Sequence, residues 1–195
     1  MVFDRQGREK LHAIKQVDGS VMDVTLHNSP SNLQIVADLL VENNTDSLPK
    51  RVLAFNPVDK RYYYYTAIPV AAGNSVVGVV VVGTSVNDLM PTLKSTSLAD
   101  VIIYDANGKS IATTLVSSGP EAELFLQTIS IQAATYQQVI NQDNTVEGDN
   151  LYVGGRWYKV ARGPLKLGDN RLAVYAVILP LDFVVETSST NRVNY

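Results

Sequence analysis

Apolar positions along the chain fall into short strand-period runs and helix-period runs that occur twice in the same order. Val2-Phe3-Asp4 and Asp100 to Tyr104 are apolar runs, the second rich in β-branched Val101, Ile102 and Ile103. Each leads into turn chemistry, Arg5-Gln6-Gly7 in one case and Asp105-Ala106-Asn107-Gly108 in the other. Extended material resumes at Lys10 to Val17 and at Ser110 to Leu115, so each half is predicted to open on a hairpin. A helix is predicted next in both. Ser29-Pro30 sets a capping residue before a first-turn proline, ahead of Leu33, Val36, Ala37 and Leu40 at helical spacing. Gly119-Pro120-Glu121 opens the equivalent helix, which carries Leu124, Ala133, Tyr136, Val139 and Ile140.

Polar loops at 43–50 and 141–150 then lead to paired strands. Tyr62 to Tyr65 and Val76 to Val82 flank a turn at Gly73-Asn74, while Trp157 to Val160 and Leu172 to Ile178 flank Gly168-Asp169-Asn170. Two strands, a helix and further strands predict an α+β fold, a mostly antiparallel sheet with a helix on one face.

The two copies also align residue by residue. Arg61-Tyr62-Tyr63 through Ile68-Pro69 matches Arg156-Trp157-Tyr158 through Gly163-Pro164 without a gap, and Asp4 through Gly7 matches Asp105 through Gly108. With two copies, the pattern is a tandem duplication of a small domain, since a solenoid needs three or more repeats to bury a continuous core. The expected organisation is a first unit at 1–86, an amphipathic connecting helix at 87–99 with Leu89, Met90 and Leu93 on one side, a second unit at 100–185 and a tail at 186–195. Pro91 is expected in the first turn of the connector.

Composition narrows function mainly by exclusion. A 195-residue chain that is 46% hydrophobic holds a core in each half. Its net charge of −3 and singly scattered basic residues argue against a nucleic-acid surface. With no cysteine there is neither a disulfide frame nor a thiolate zinc site. No run approaches the roughly 18 apolar residues of a membrane span. Met1 is followed at once by a strand, and a helix with a membrane anchor is the expected upstream piece.

The aspartate-turn-glycine hairpin, a helix, an aromatic strand running into Ile68-Pro69 or Gly163-Pro164, a glycine turn and a Val-rich strand are given twice with a helix between. This order resembles the double Cache, or tandem PAS-like, sensor domain. Val79 through Ser85 followed by Leu89 and Leu93, then Ala99-Asp100-Val101, looks like the junction between the halves of such domains. The resemblance implies an extracytoplasmic sensor of a bacterial receptor, flanked by membrane helices and joined to a cytoplasmic kinase, cyclase or chemotaxis module. It implies a small-molecule ligand between sheet and helix of the first, membrane-distal unit. A second copy of the chain is a further candidate partner. The family's amino-acid motif places an arginine two residues before an aromatic pair and an aspartate on a later strand. Here Lys60 precedes Tyr62-Tyr63 and Val76 to Val82 offers no aspartate, so an amino-acid receptor is not expected.

Strand alternation sends Tyr62 and Tyr64 to one face and Tyr63 and Tyr65 to the other. Tyrosine suits a binding wall because it joins a large apolar face to a polar tip. Lys60, Tyr62, Tyr64 and Thr66 are the candidate ligand residues of the first unit, against the alternative that one pair of tyrosines is core and the other an interface. Trp157 and Arg162 are candidates in the second, an aromatic wall and a guanidinium able to pair bidentately with a carboxylate. The competing reading is a core tryptophan and a surface arginine. His12 and His27 lack the spacing of a helical metal pair, and the loop from Asp143 to Asp149 lacks a calcium-loop pattern, so no metal is expected. No cofactor is expected either, with no cysteine for flavin chemistry and no evident haem histidine. Nucleophile-elbow, phosphate-loop and dinucleotide motifs are all missing, and catalysis is not expected. The rival to ligand sensing is a spacer, dimerisation or protein-interaction module with the same fold.

Overall fold

Hairpin turns, more than any other feature, show how alike the two halves are. A computed structural model describes residues 1–182 except 17, 27, 116–119, 143 and 168–169, and of 120–122 and 167 it gives the backbone alone. The chain divides into Met1–Ser85 and Val86–Tyr195. In the first unit, β1 (Val2–Asp4) pairs with β2 (Glu9–Leu11). The Gln6 and Arg8 amides donate to Asp4 Oδ1 at 3.0 and 2.9 Å, and Gly7 donates to Asp4 O at 2.9 Å. In the second unit, β8 (Asp100–Tyr104) pairs with β9 (Ser110–Thr113). Its turn repeats each bond: Asn107 and Lys109 donate to Asp105 Oδ1 at 2.9 and 3.0 Å, and Gly108 donates to Asp105 O at 2.9 Å. The aspartate ties its own turn and the glycine supplies the left-handed backbone, with φ of 72° at Gly7 and 79° at Gly108. Each glycine carbonyl then accepts from the segment ahead of a helix, Ser31 N in one unit and Ile131 N in the other.

The first unit continues with a small hairpin, β3 (Ala13–Lys15) and β4 (Val21–Asp23), then α1 (Gln34–Glu42) and β5 (Lys50–Asn56), β6 (Arg61–Ala72) and β7 (Ser75–Ser85). Its main sheet is antiparallel in the order β2-β1-β7-β6-β5. One face of α1 meets that sheet: Leu33, Ile35, Val36 and Leu39 join Phe3, Tyr65, Ala67, Val79 and Val81 in one buried cluster. The helix starts four residues later than Ser29-Pro30 suggests, because Pro30 is held in a bridge to Arg8 and Ser31 Oγ accepts the Leu33 amide instead. On the observed helix Leu39 lies in the core and Ala37 is exposed.

In the second unit, α2 (Val86–Ser97) packs on β8 and β9, with Lys94 bonded to Asp100 at 2.8 Å. Pro91 lies inside this helix, past the first turn expected of it, on an exposed position. The helix predicted from Gly119 onward is two helices, α3 (Pro120–Thr128) and α4 (Ala133–Ile140), broken by the bond from Ile131 to Gly108. The counterpart of α1 is therefore α4, and α3 occupies the place in the chain that β3 and β4 hold in the first unit. The strands β10 (Val146–Glu147), β11 (Leu151–Val153), β12 (Arg156–Leu167) and β13 (Asn170–Pro180) complete a sheet in the order β10-β12-β13-β8-β9, with β11 also on β12. That is the strand order of the first unit again. The turn at 168–169 and the tail from 183 onward lie outside the described residues.

Candidate functional site

The four tyrosines of β6 divide as alternation requires, and the packing decides which pair faces the helix. Tyr63 and Tyr65 lie on the α1 side, their rings stacked at 5.5 Å and 17°. They cross Gly83, which is paired with Tyr65 in the neighbouring strand; a Cβ there would stand 2.5 Å from Tyr65 Cε1. Glycine opposite a tyrosine gives the ring a flat floor. Tyr62 and Tyr64 face the other side, where Tyr62 meets Phe55 with ring centroids 5.3 Å apart.

Beside this stack is a cavity of about 150 Å³, partly open to solvent. It is not under α1, whose footprint Leu33, Val36 and Leu39 fill. It sits where β2, the segment before α1 and the β5–β6 turn converge, lined among others by Glu9, His12, Leu26, Ser31, Asn56, Val58 and Tyr65. Three polar side chains are buried in its wall: Glu9, His12 and Asn56. Glu9 Oε1 accepts the Leu26 amide and Oε2 stands 3.3 Å from His12 Nδ1. Burial pulls the His12 pKa down, against the opposing pull of the Glu9 carboxylate. Burial pushes the Tyr65 hydroxyl up to about 12, helped by the nearby Asp59 charge, while a hydrogen bond with the Asn56 side chain works the other way. Asn56 Oδ1 also accepts the Val58 amide at 2.9 Å, fixing the turn. Asp59 accepts a hydrogen bond from Tyr63, and its second oxygen is buried without a partner among the described residues.

Of the candidates read from sequence, none lines this cavity. Lys60 is exposed in the β5–β6 turn with φ of 57°. Tyr62, Tyr64 and Thr66 are half-buried on the outer face of the sheet. Trp157 is 52% exposed, its ring 5.0 Å from Tyr152 across β11 and β12. Arg162 points to the core side of β12, hydrogen-bonded to the buried Tyr104, and presses so close to Gly148 that a Cβ there would stand 1.9 Å from Nη1. The first-unit and second-unit candidates belong to separate units. The wall residues come from two places in the chain: Glu9 and His12 stand three residues apart at β2, and Asn56 ends β5, with no spacing in the sequence that links it to them. His27 lies outside the described residues. Among the described residues no three His, Asp or Glu side chains group to hold a metal, and no helix is long and apolar enough to cross a membrane.

No curated protein sequence matches the chain. Among solved structures, the fold is similar to that of a domain of a sensory box/GGDEF family protein from Vibrio parahaemolyticus, with a TM-score of 0.59 and 12% identity over 93% of this chain and 71% of that one. It is similar to the extracellular domain of the histidine kinase vpHK1S-Z8, with a TM-score of 0.60 and 12% identity over 100% of this chain and 72% of that one. A methyl-accepting chemotaxis protein is 18% identical at a TM-score of 0.59, over 87% of this chain and 62% of that one. These likenesses show the tandem sensor fold. The model of the dCache_3 family, the double sensory domain of two-component sensor kinases, matches residues 5–184, and the chain belongs to that family.

Proposed function

We propose that this chain is the extracytoplasmic sensing module of a bacterial transmembrane receptor and that a small organic molecule binds in the cavity of its first unit. The observation that carries the reading is the cavity itself, an open space of about 150 Å³ walled by buried Glu9, His12 and Asn56 beside a tyrosine stack. Pockets that punctuate apolar walls with a few convergent polar groups are the usual form of ligand sites. Ligand contacts at Asn56 and Tyr65 would bear on β5 and β6. β6 is paired with β7 along its length, and β7 runs directly into α2. A preference of about 1–3 kcal/mol for one arrangement is enough to shift such a switch.

A thermal-shift screen of organic acids, amines, purines and sugars tests the reading. At least one compound is expected to raise the melting temperature of the unaltered chain and to lose that effect in Leu26→Trp, which narrows the mouth while keeping the Leu26 amide bond to Glu9. No shift from any compound at saturating concentration would overturn it.

One observation favours a second reading, a dimerisation module that binds no metabolite. Ile68, Val70 and Val82 form an apolar strip on the outer face of β6 and β7, 44%, 39% and 60% exposed. Sedimentation of the chain as a dimer that Val82→Lys dissolves, with no ligand found, would support that reading.

A further inference from the structure

We infer that the first-unit cavity takes a protonated amine without a carboxylate, received by Glu9. The inference rests on the cavity being a ligand site and adds the charge class of the ligand. No Lys or Arg lines the cavity among the described residues, so nothing in the wall offers a carboxylate or phosphate a permanent cation. Glu9 is an acid buried to 7% exposure, with one oxygen on a backbone amide and the other beside His12. A buried carboxylate without a full counter-charge is costly, and a ligand ammonium group supplies one.

The other charged and titratable groups facing Glu9 leave that role open. The titratable base of the wall is His12, and burial pulls its pKa down despite the attraction of Glu9. Behind the wall, the Asp59 carboxylate adds negative field at His12 and at Tyr65. Leu26, Pro30, Pro57 and Val58 give the cavity an apolar lining, and Asn56 and Ser31 add neutral polar groups. A space of this volume holds about one benzene ring. Glu9 on β2 supplies the cavity's carboxylate, and the missing cation argues against an amino acid in favour of a plain amine.

Three probes of one size and different charge, benzylamine, benzyl alcohol and benzoate, test this by calorimetric titration of the unaltered chain. Benzylamine is expected to bind at least tenfold more tightly than benzyl alcohol, with benzoate weakest. In Glu9→Gln the benzylamine advantage over benzyl alcohol is expected to vanish. In Leu26→Trp all binding is expected to fall, locating it in the cavity. Benzyl alcohol or benzoate binding as tightly as benzylamine would overturn the inference and leave ligand sensing standing. Silence from all three, together with a blank thermal-shift screen, would overturn both; silence from the probes beside a positive screen hit that is not an amine would overturn the inference alone. Should Glu9→Gln fail to fold, the ranking of the three probes on the unaltered chain decides the matter.

Discussion

The two units build one sheet order and one hairpin turn, yet they spend the space beside that hairpin differently. In the first, the β2 residue paired with Phe3 is Glu9, and it looks into a cavity. In the second, the residue paired with Tyr104 is Ser110, fully buried, donating to Leu126 O of α3 and 3.4 Å from Ser130 Oγ. Phe125, Leu126 and Ile129 pack against the core there. At the matched positions of the aromatic strand, Tyr65 in the first unit corresponds to Val160 in the second. Among the described residues, α3 side chains pack beside the second hairpin, where a hairpin, a loop and polar side chains border a cavity in the first unit. Duplication fixed the frame, and divergence at a few facing positions distinguishes a wall from a core.

The sharpest test of that contrast is truncation at the matched strand positions. Tyr65→Ala removes a stacked, buried ring and is expected to destabilise the first unit by about 3–5 kcal/mol. Val160→Ala removes two methyl groups and should cost the second unit about 2 kcal/mol. Chemical denaturation of each variant measures both. Equal costs would mean that the tyrosine stack is not packed as core.

Next in size are the turn glycines, where the units share φ and differ in surroundings. A Cβ on Gly108 would stand 2.3 Å from the Ile131 carbonyl oxygen, while one on Gly7 would meet only Leu40 Cδ1 at 3.5 Å. Gly7→Ala should therefore cost only the left-handed backbone penalty, about 1–2 kcal/mol, and Gly108→Ala that plus a backbone shift, about 3 kcal/mol in all. The same denaturation experiment ranks them, and the reverse order would break the equivalence of the two anchoring bonds.

The smallest effect is a pH dependence confined to one unit, since both histidines of the sequence precede residue 86. Unfolded, His12 titrates near 6.5; folded, burial holds its pKa lower. In the window below 6.5 the unfolded chain binds more protons, so stability falls as the pH drops through it. Melting scans from pH 7.5 to 5 should show this loss, and His12→Gln should flatten it. A loss of equal slope in that variant would assign the effect to other groups.

Much of this architecture was legible in the residues. The Asp-x-x-Gly turns, the glycine turn at 73 and the doubled order of strands and helices are local signals, set by backbone sterics and short hydrogen bonds, and they survive into the structure. The start of α1 read less well, because Pro30 satisfies itself in a bridge to Arg8 rather than in a first helical turn, whereas α3 starts at Pro120 as its opening residues suggest. The face of the tyrosine strand was not legible at all. Thr66, Ile68 and Val70 are as apolar on one side as Ala67 and Pro69 on the other, and a shift of one residue exchanges the faces. Only the Tyr65 to Gly83 pairing in the folded sheet marks the inner side.

By itself, then, the sequence determined a doubled sheet-and-helix frame, because turns, caps and strand alternation depend on neighbours a few residues apart. The tertiary structure alone decided where the hollow lies and that Glu9, His12 and Asn56 surround it. Asn56 joins the neighbouring Glu9 and His12 only when the β5–β6 turn and β2 close on the loop before α1, and such long-range convergence leaves no periodic trace along a chain.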